Sequence, residues 1–206
     1  MIQNSLTLPF EFLNQKSELD KLWLLFAVRL IELSLLLLWF KEKLFHFIIP
    51  KNGLECIFQI STGILISLFG FLIVWGVDYF GVISIFEMLR NESLEMTRSY
   101  FYALLICGAL LAPFVEELFF RACLLGIFTE RKWSYVLHHL AAGILFVLPH
   151  INFSIELTRQ WGNIFIWSCC SFLMILLFVW RRSIIPGYIV HACANAVLFS
   201  LSFNLI

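Results

Sequence analysis

The sequence predicts an all-α fold, a polytopic membrane helix bundle of about six transmembrane helices with an interfacial helix between the second and third. Three observations lead there. Of the 206 residues, 61% are hydrophobic and 14% charged, and mean hydropathy is strongly positive, a balance that a water-soluble domain of this size does not show. Apolar runs of the length needed to cross a hydrocarbon core recur along the whole chain, roughly 20 residues at about 1.5 Å of rise each. The breaks between most of them are short and polar, as in "KEK", "ERK" and "RR". Lys plus Arg equals Asp plus Glu at 14 each, so no basic excess points to nucleic acid and no acidic tail points to a solvated partner.

Taken in order, the stretch before residue 22 is polar and of mixed charge. It lacks the basic start and cleavage site of a secretory signal, so the first span is expected to direct its own insertion. Spans are predicted at 22–40, 54–77, 100–128, 133–150, 161–180 and 183–203. The stretch 78–99 mixes Phe, Ile, Met and Leu with Asp, Glu and Arg and reads as an amphipathic helix lying in the interface. Trp133, Trp161 and Trp180 stand at predicted helix ends, where an aromatic belt is expected. Basic residues lean towards the loops after the first, third and fifth spans, the cytoplasmic side by the positive-inside rule. The six cysteines form no CxxC pair and read as small buried hydrophobes. Nothing divides the chain, so 1–206 reads as a single membrane domain, with 22–99 forming its N-terminal helices.

Into this apolar background the run "LAPFVEELFFRACLLG" sets Glu116, Glu117 and Arg121. An ionised side chain at a helix centre costs roughly 2.5–3.5 kcal/mol, so three together cost about 8–10 kcal/mol unless compensated. Glu117 and Arg121, four apart with the acid first, meet on one helical face as an ion pair. Glu116 lies about 100° round the helix and is left without a local cation, where desolvation would raise its pKa into the range of a general base. Pro113 removes one backbone bond just before the acids and is expected to kink the helix, opening a cavity beside them. Arg29 and Glu32 in the first span read as an ordinary packing pair. "FVLPH" and "HACAN" place Phe146 with His150, and His191 with Asn195, each pair on one face of its helix. Buried His and Asn side chains need polar partners, and the nearest are one another and the acids of the third span. Ala192, Ala194 and Ala196 let helices approach there. His138 and His139 lie three turns from His150 and read as interfacial, and Asn152 reads as a loop cap.

EExxxR ("EELFFR"), FxxxH ("FVLPH") and HxxxN ("HACAN"), in this order on successive membrane helices, resemble the three motifs of the CPBP family, the CAAX protease and bacteriocin-processing (Abi) family of intramembrane glutamic-type endopeptidases. The resemblance covers 100–206, which would be the catalytic core, and leaves the first two helices outside. It implies hydrolysis of a peptide bond in a membrane-embedded or membrane-delivered protein at the cell membrane, with a CAAX-type tail or a C-terminal sorting signal as the substrate. Glu116 and His150 would activate the attacking water, while His191 and Asn195 would donate to the oxyanion. Glu117 and Arg121 would fix the helix and its charge balance, and Phe146 would pack beneath His150. No cofactor is favoured. The alternative is zinc held by Glu116, His150 and His191, since two His and a Glu form a common hydrolytic ligand set, although HExxH is absent. A non-catalytic immunity or scaffold protein of the same fold would be expected to have lost one of the four polar residues, and none is missing. A proton- or ion-relaying transporter would show pseudosymmetric halves, and the sequence has no such repeat.

Overall fold

The structure is a computed structural model that describes residues 18–79, 98–127, 134–148, 151 and 161–202, all-α as predicted, with no strand among them. Helix α1 runs Glu18–Ile48 and α2 runs Gly53–Tyr79. The third rod, α3, is continuous over 98–127 but changes winding along its length: α-helical at Arg98–Leu104, π at Leu105–Leu111, α at Ala112–Glu117 and π again at Leu118–Ile127. Helix α4 is Ser134–Val147, α5 is Trp161–Arg181 and α6 is Ile185–Ser202. Leu22–Ile48, Gly53–Gly76 and Phe101–Gly126 are long and apolar enough to cross a membrane, whereas the apolar parts of α4, α5 and α6 are shorter. The predicted interfacial helix falls, over 80–97, outside the described residues, as do Trp133, His150 and Asn152.

The first helix differs from expectation in length. "KEK" was expected to be a loop, yet α1 continues through it to Ile48. Lys and Glu are good helix formers, and the extra turns bury Leu44 and pack Phe47 against α5. The turn comes instead at Pro50, which cannot continue a helix. The next helix starts with reciprocal capping: the Asn52 side chain accepts the Glu55 N–H at 2.8 Å, and the Glu55 carboxylate accepts the Lys51 N–H at 3.0 Å.

Large apolar side chains cover the outer faces of α1 and α2, among them Leu38, Trp39, Leu54, Leu65 and Phe69. An outward face of this kind suits lipid, where helices satisfy their own backbone groups and apolar side chains need no shelter. Inside, Leu44, Leu118, Ala122, Leu125, Ile175, Phe178 and Ile184 form the main core, joining α1, α3, α5 and the turn before α6. Helix α6 is the inner post, packed against α2, α5 and α3. Its start is pinned twice: the Ile184 N–H donates to Phe47 O at 3.0 Å, and the Ser183 hydroxyl donates to the buried Gln59 at 2.8 Å. Helix α2 comes close to α6 at Gly63. A Cβ there would lie 2.8 Å from Ile189 Cβ and 3.1 Å from the Pro186 carbonyl. The cysteines also depart from expectation. All six are free, but only Cys107 and Cys123 are buried and Cys169 is exposed on α5, because a thiol facing lipid costs as little as a methyl.

Gly63→Val should therefore force α2 away from α6. The expected outcome is a loss of about 1–3 kcal/mol of stability, read as a lower thermal midpoint in detergent, while Val at the uncrowded Gly70 of the same helix leaves the midpoint unchanged.

Candidate active site

The polar centre is built on the short α-helical segment of α3, between its two π segments. π turns place each N–H on the carbonyl five residues back, and the Ala112 N–H accordingly donates to Cys107 O. The next carbonyl in that register, Gly108 O, faces Pro113, which has no N–H to give. Asn195 supplies the missing donor, with its Nδ2 2.9 Å from Gly108 O. One α6 residue thus completes the backbone of α3 where proline breaks it.

Beyond this break the acids and Arg121 take up the expected ion pair. Arg121 Nη1 lies 3.0 Å from Glu117 Oε1, with both side chains at most 1% exposed. The other guanidinium nitrogen reaches Ser171 Oγ at 3.4 Å, and the plane sits over the Phe146 ring, 4.4 Å from its centroid. Phe146 also meets the His191 ring edge to face at 5.3 Å, and Trp167 flanks the same ring at 6.3 Å. Phe146 therefore packs under Arg121 and against His191, while its expected place beneath His150 concerns a residue outside the described ones.

His191, buried on α6, links both acids. Its Nδ1 is 3.3 Å from Glu117 Oε1 and its Nε2 is 3.7 Å from Glu116 Oε2. A carboxylate can only accept, so Nδ1 donates to Glu117 and Nε2 is the nitrogen left for chemistry. Nε2 is buried without a hydrogen-bond partner among the described residues. Glu117 is shut in from the other side by Gly187, where a Cβ would come within 3.0 Å of Oε2. Gly187, His191 and Asn195 recur at intervals of four and form one stripe of α6 facing the acids, a pattern present in "GYIVHACAN".

Glu116 is not alone, as expected, but paired. Arg29 of α1 places Nη2 2.9 Å from Glu116 Oε1 and Nη1 2.8 Å from Glu32 Oε2. The Arg29–Glu32 couple is therefore no ordinary packing pair but one arm of a three-residue bridge. Spacing within α1 reveals its own partner and is blind to a carboxylate 87 positions away. Beside this bridge opens a cavity of about 370 Å³, lined by Leu35, Leu36, Phe119, Phe120 and Phe146 with Glu116 and Arg29 in its wall. Within the cluster two arginines face three glutamates, leaving one negative charge over when His191 is neutral.

Glu116, Glu117, Arg121, Phe146, His191 and Asn195 are thus gathered from three helices, with Asn195 engaged on Gly108 O and His150 outside the described residues. Arg29, Trp167, Ser171 and Gly187 join them without having been singled out for the site. Of the zinc alternative, Glu116 and His191 are described. One oxygen of the first is held by Arg29 and one nitrogen of the second by Glu117, each keeping one donor atom, and the third ligand of that set, His150, lies outside the described residues. Among the described residues no group of three His, Cys, Asp or Glu converges as a metal site.

Residues 98–197 match the family model described as Rce1-like, type II CAAX prenyl endopeptidase Rce1-like. The match contains α3 to α6 up to and past the "HACAN" stripe, and leaves α1 and α2 outside. No curated protein and no solved structure matches the chain.

If Asn195 stands in for the N–H that Pro113 lacks, the two positions must be energetically coupled. Asn195→Ala should cost about 1–3 kcal/mol in the native background, the penalty of an unsatisfied buried carbonyl. In a Pro113→Ala background the loss should be smaller by about 0.5 kcal/mol or more, since an alanine at that position brings its own donor. Thermal unfolding of the four proteins in detergent measures the coupling, and equal losses in both backgrounds would refute it.

Proposed function

From the match of residues 98–197 to the Rce1-like family model, we propose that this membrane protein belongs to the CPBP family of CAAX proteases and is an intramembrane endopeptidase acting at Glu116, as a multi-pass protein of the cell membrane. The observation that carries the reading is the facing pair of Glu116 Oε2 and His191 Nε2. They lie 3.7 Å apart beside a cavity and in a cluster with one uncompensated negative charge. Such a cluster becomes neutral on taking up one proton, and one proton is what an attacking water gives up.

In the reaction, Glu116 and His150 hold the water, and Glu116 takes its proton as the water oxygen bonds to the scissile carbonyl carbon. The carbonyl oxygen gains the negative charge; Glu116 shares the proton with His191 Nε2 across the 3.7 Å between them, and the Nε2–H so formed donates to that oxygen until the proton returns to Glu116. The ring is held in place by Glu117 at Nδ1 and by Phe146 and Trp167 on its faces. Asn195 acts at the same oxygen through the amide N–H not given to Gly108 O, since a carboxamide nitrogen has two. Collapse of the tetrahedral species breaks the C–N bond, and the proton on Glu116 passes to the leaving amine. Glu117 and Arg121 supply a fixed electrostatic floor. The substrate is a membrane-embedded or membrane-delivered peptide whose apolar side chains fit the Leu35, Leu36, Phe119 and Phe120 walls, with a prenylated CAAX-type tail or a C-terminal sorting signal as the two forms to test.

Glu116→Gln keeps the size and a hydrogen-bonding oxygen but cannot take a proton. It should reduce cleavage of internally quenched peptides, farnesylated or bearing a transmembrane segment, by about a hundredfold or more, with unchanged membrane insertion and thermal midpoint. Turnover of the variant within a few-fold of wild type would exclude Glu116 as the base. The mechanism routes no step through a metal, so activity should survive exhaustive chelation, with elemental analysis of the active protein finding less than stoichiometric zinc. Activity lost on chelation and restored by zinc would reinstate the Glu116, His150 and His191 ligand set.

A further inference from the structure

Helix α1 lies outside the family-matched stretch, yet it reaches the carboxylate on which the proposed chemistry turns. We propose that Arg29 is a positioning residue that completes the active site from outside the matched domain: it supplies the counter-charge of Glu116 and aims its free oxygen at His191. The inference rests on the reading of Glu116 as the base.

Three observations carry it. The first is division of labour within one carboxylate. Arg29 takes Oε1 at 2.9 Å, and the remaining oxygen, Oε2, is the one facing His191 Nε2. A guanidinium is a rigid fork, so a hold on one oxygen sets the direction of the other. The second is the surroundings. The cavity wall beside Glu116 is made of Leu35, Leu36, Val115, Phe119 and Phe120, which offer no hydrogen bond to a carboxylate. Arg121, the other cation of the cluster, is already paired with Glu117. Without Arg29, an apolar site of this kind favours a neutral carboxylic acid, which has no capacity to take a proton from water. The third is Glu32. It binds the second arm of Arg29 at 2.8 Å and lies in the same cavity wall, so the guanidinium is fixed at both ends across the gap between α1 and α3. Lysine, a single ammonium on a flexible stem, could not span the two carboxylates.

The test needs no known substrate. Dicyclohexylcarbodiimide is apolar and reacts with protonated carboxyl groups in membrane proteins, not with ionised ones. Purified full-length protein in detergent near neutral pH is treated with it, and the adduct on Glu116 is measured by peptide mass spectrometry. Wild type should be protected. Arg29→Gln should raise labelling of Glu116 by about tenfold or more, Arg29→Lys by less, and Glu32→Gln not at all, because Arg29 then remains on Glu116. On the quenched peptides, Arg29→Gln should lower kcat by about tenfold or more with KM unchanged, and Arg29→Lys should restore part of it. Equal labelling of wild type and Arg29→Gln overturns the proposal. So does a rise in KM at constant kcat, which would make Arg29 a substrate contact. If Arg29→Gln does not fold, Arg29→Lys carries the test, and labelling no higher than wild type overturns it. Should wild type cleave none of the peptides while labelling follows the expected order, the protease reading fails and the Arg29–Glu116 pairing stands.

Discussion

Glu117 and Arg121 lie 3.0 Å apart where neither can reach solvent, and the surrounding structure is organised by what that pair requires. Removing two charges from water is recovered only if the geometry is good and the remaining donors and acceptors are met. Here part of the need is met from several helices at once, while Glu117 Oε2 and Arg121 Nε stay buried without a hydrogen bond among the described residues. Ser171 of α5 takes an arm of the guanidinium, Phe146 of α4 covers its face, His191 of α6 donates to the carboxylate, and Gly187 of α6 closes over the second carboxylate oxygen. Each of these contacts fixes the helix that makes it. A buried pair of this kind adds little net stability but penalises every alternative arrangement that would leave one partner exposed to hydrocarbon.

The winding of α3 serves the same end. Two π segments bracket the six residues Ala112–Glu117, and Pro113 withholds the donor that the first of them would use. An orphaned carbonyl in the bundle interior calls for a partner, and Asn195 is long enough to reach it from α6. The HxxxN stripe thereby does two jobs with one repeat of four residues: His191 faces the acids and Asn195 secures the helix that carries them. Side chains distant in sequence are thus held in one arrangement by the packing and hydrogen bonds of the residues behind them.

Set against the lipid-facing breadth of α1, the inward reach of Arg29 is the exception that gives this helix a role beyond packing. The bridge Glu32–Arg29–Glu116 closes the cavity on the α1 side and balances the cluster to within one charge. An endopeptidase acting within a membrane needs polar chemistry in a place that resists it, and two crossed ion pairs with a histidine between them meet that need. The cavity walls remain apolar, which suits the side chains of a membrane-borne peptide.

The sequence by itself determined the all-α membrane class, since composition and run length follow from the hydrocarbon thickness alone. It also determined the Glu117–Arg121 pair, because neighbours one helical turn apart are fixed by 3.6 residues per turn, and pointed to the grouping of His191 with the acids, because a buried polar side chain needs a polar partner. The "GYIVHACAN" stripe was legible by the same rule, although its glycine went unused. What only the tertiary structure decided concerns partners without a fixed spacing. Arg29 belongs to Glu116 because α1 packs on α3. Asn195 belongs to Gly108 because the π register leaves that carbonyl open. Helix α1 runs through "KEK" because Leu44 and Phe47 find a core to enter. Periodicity describes one helix at a time. Which side chains meet between helices depends on how the rods cross, and that is set by the sum of all contacts rather than by any local pattern.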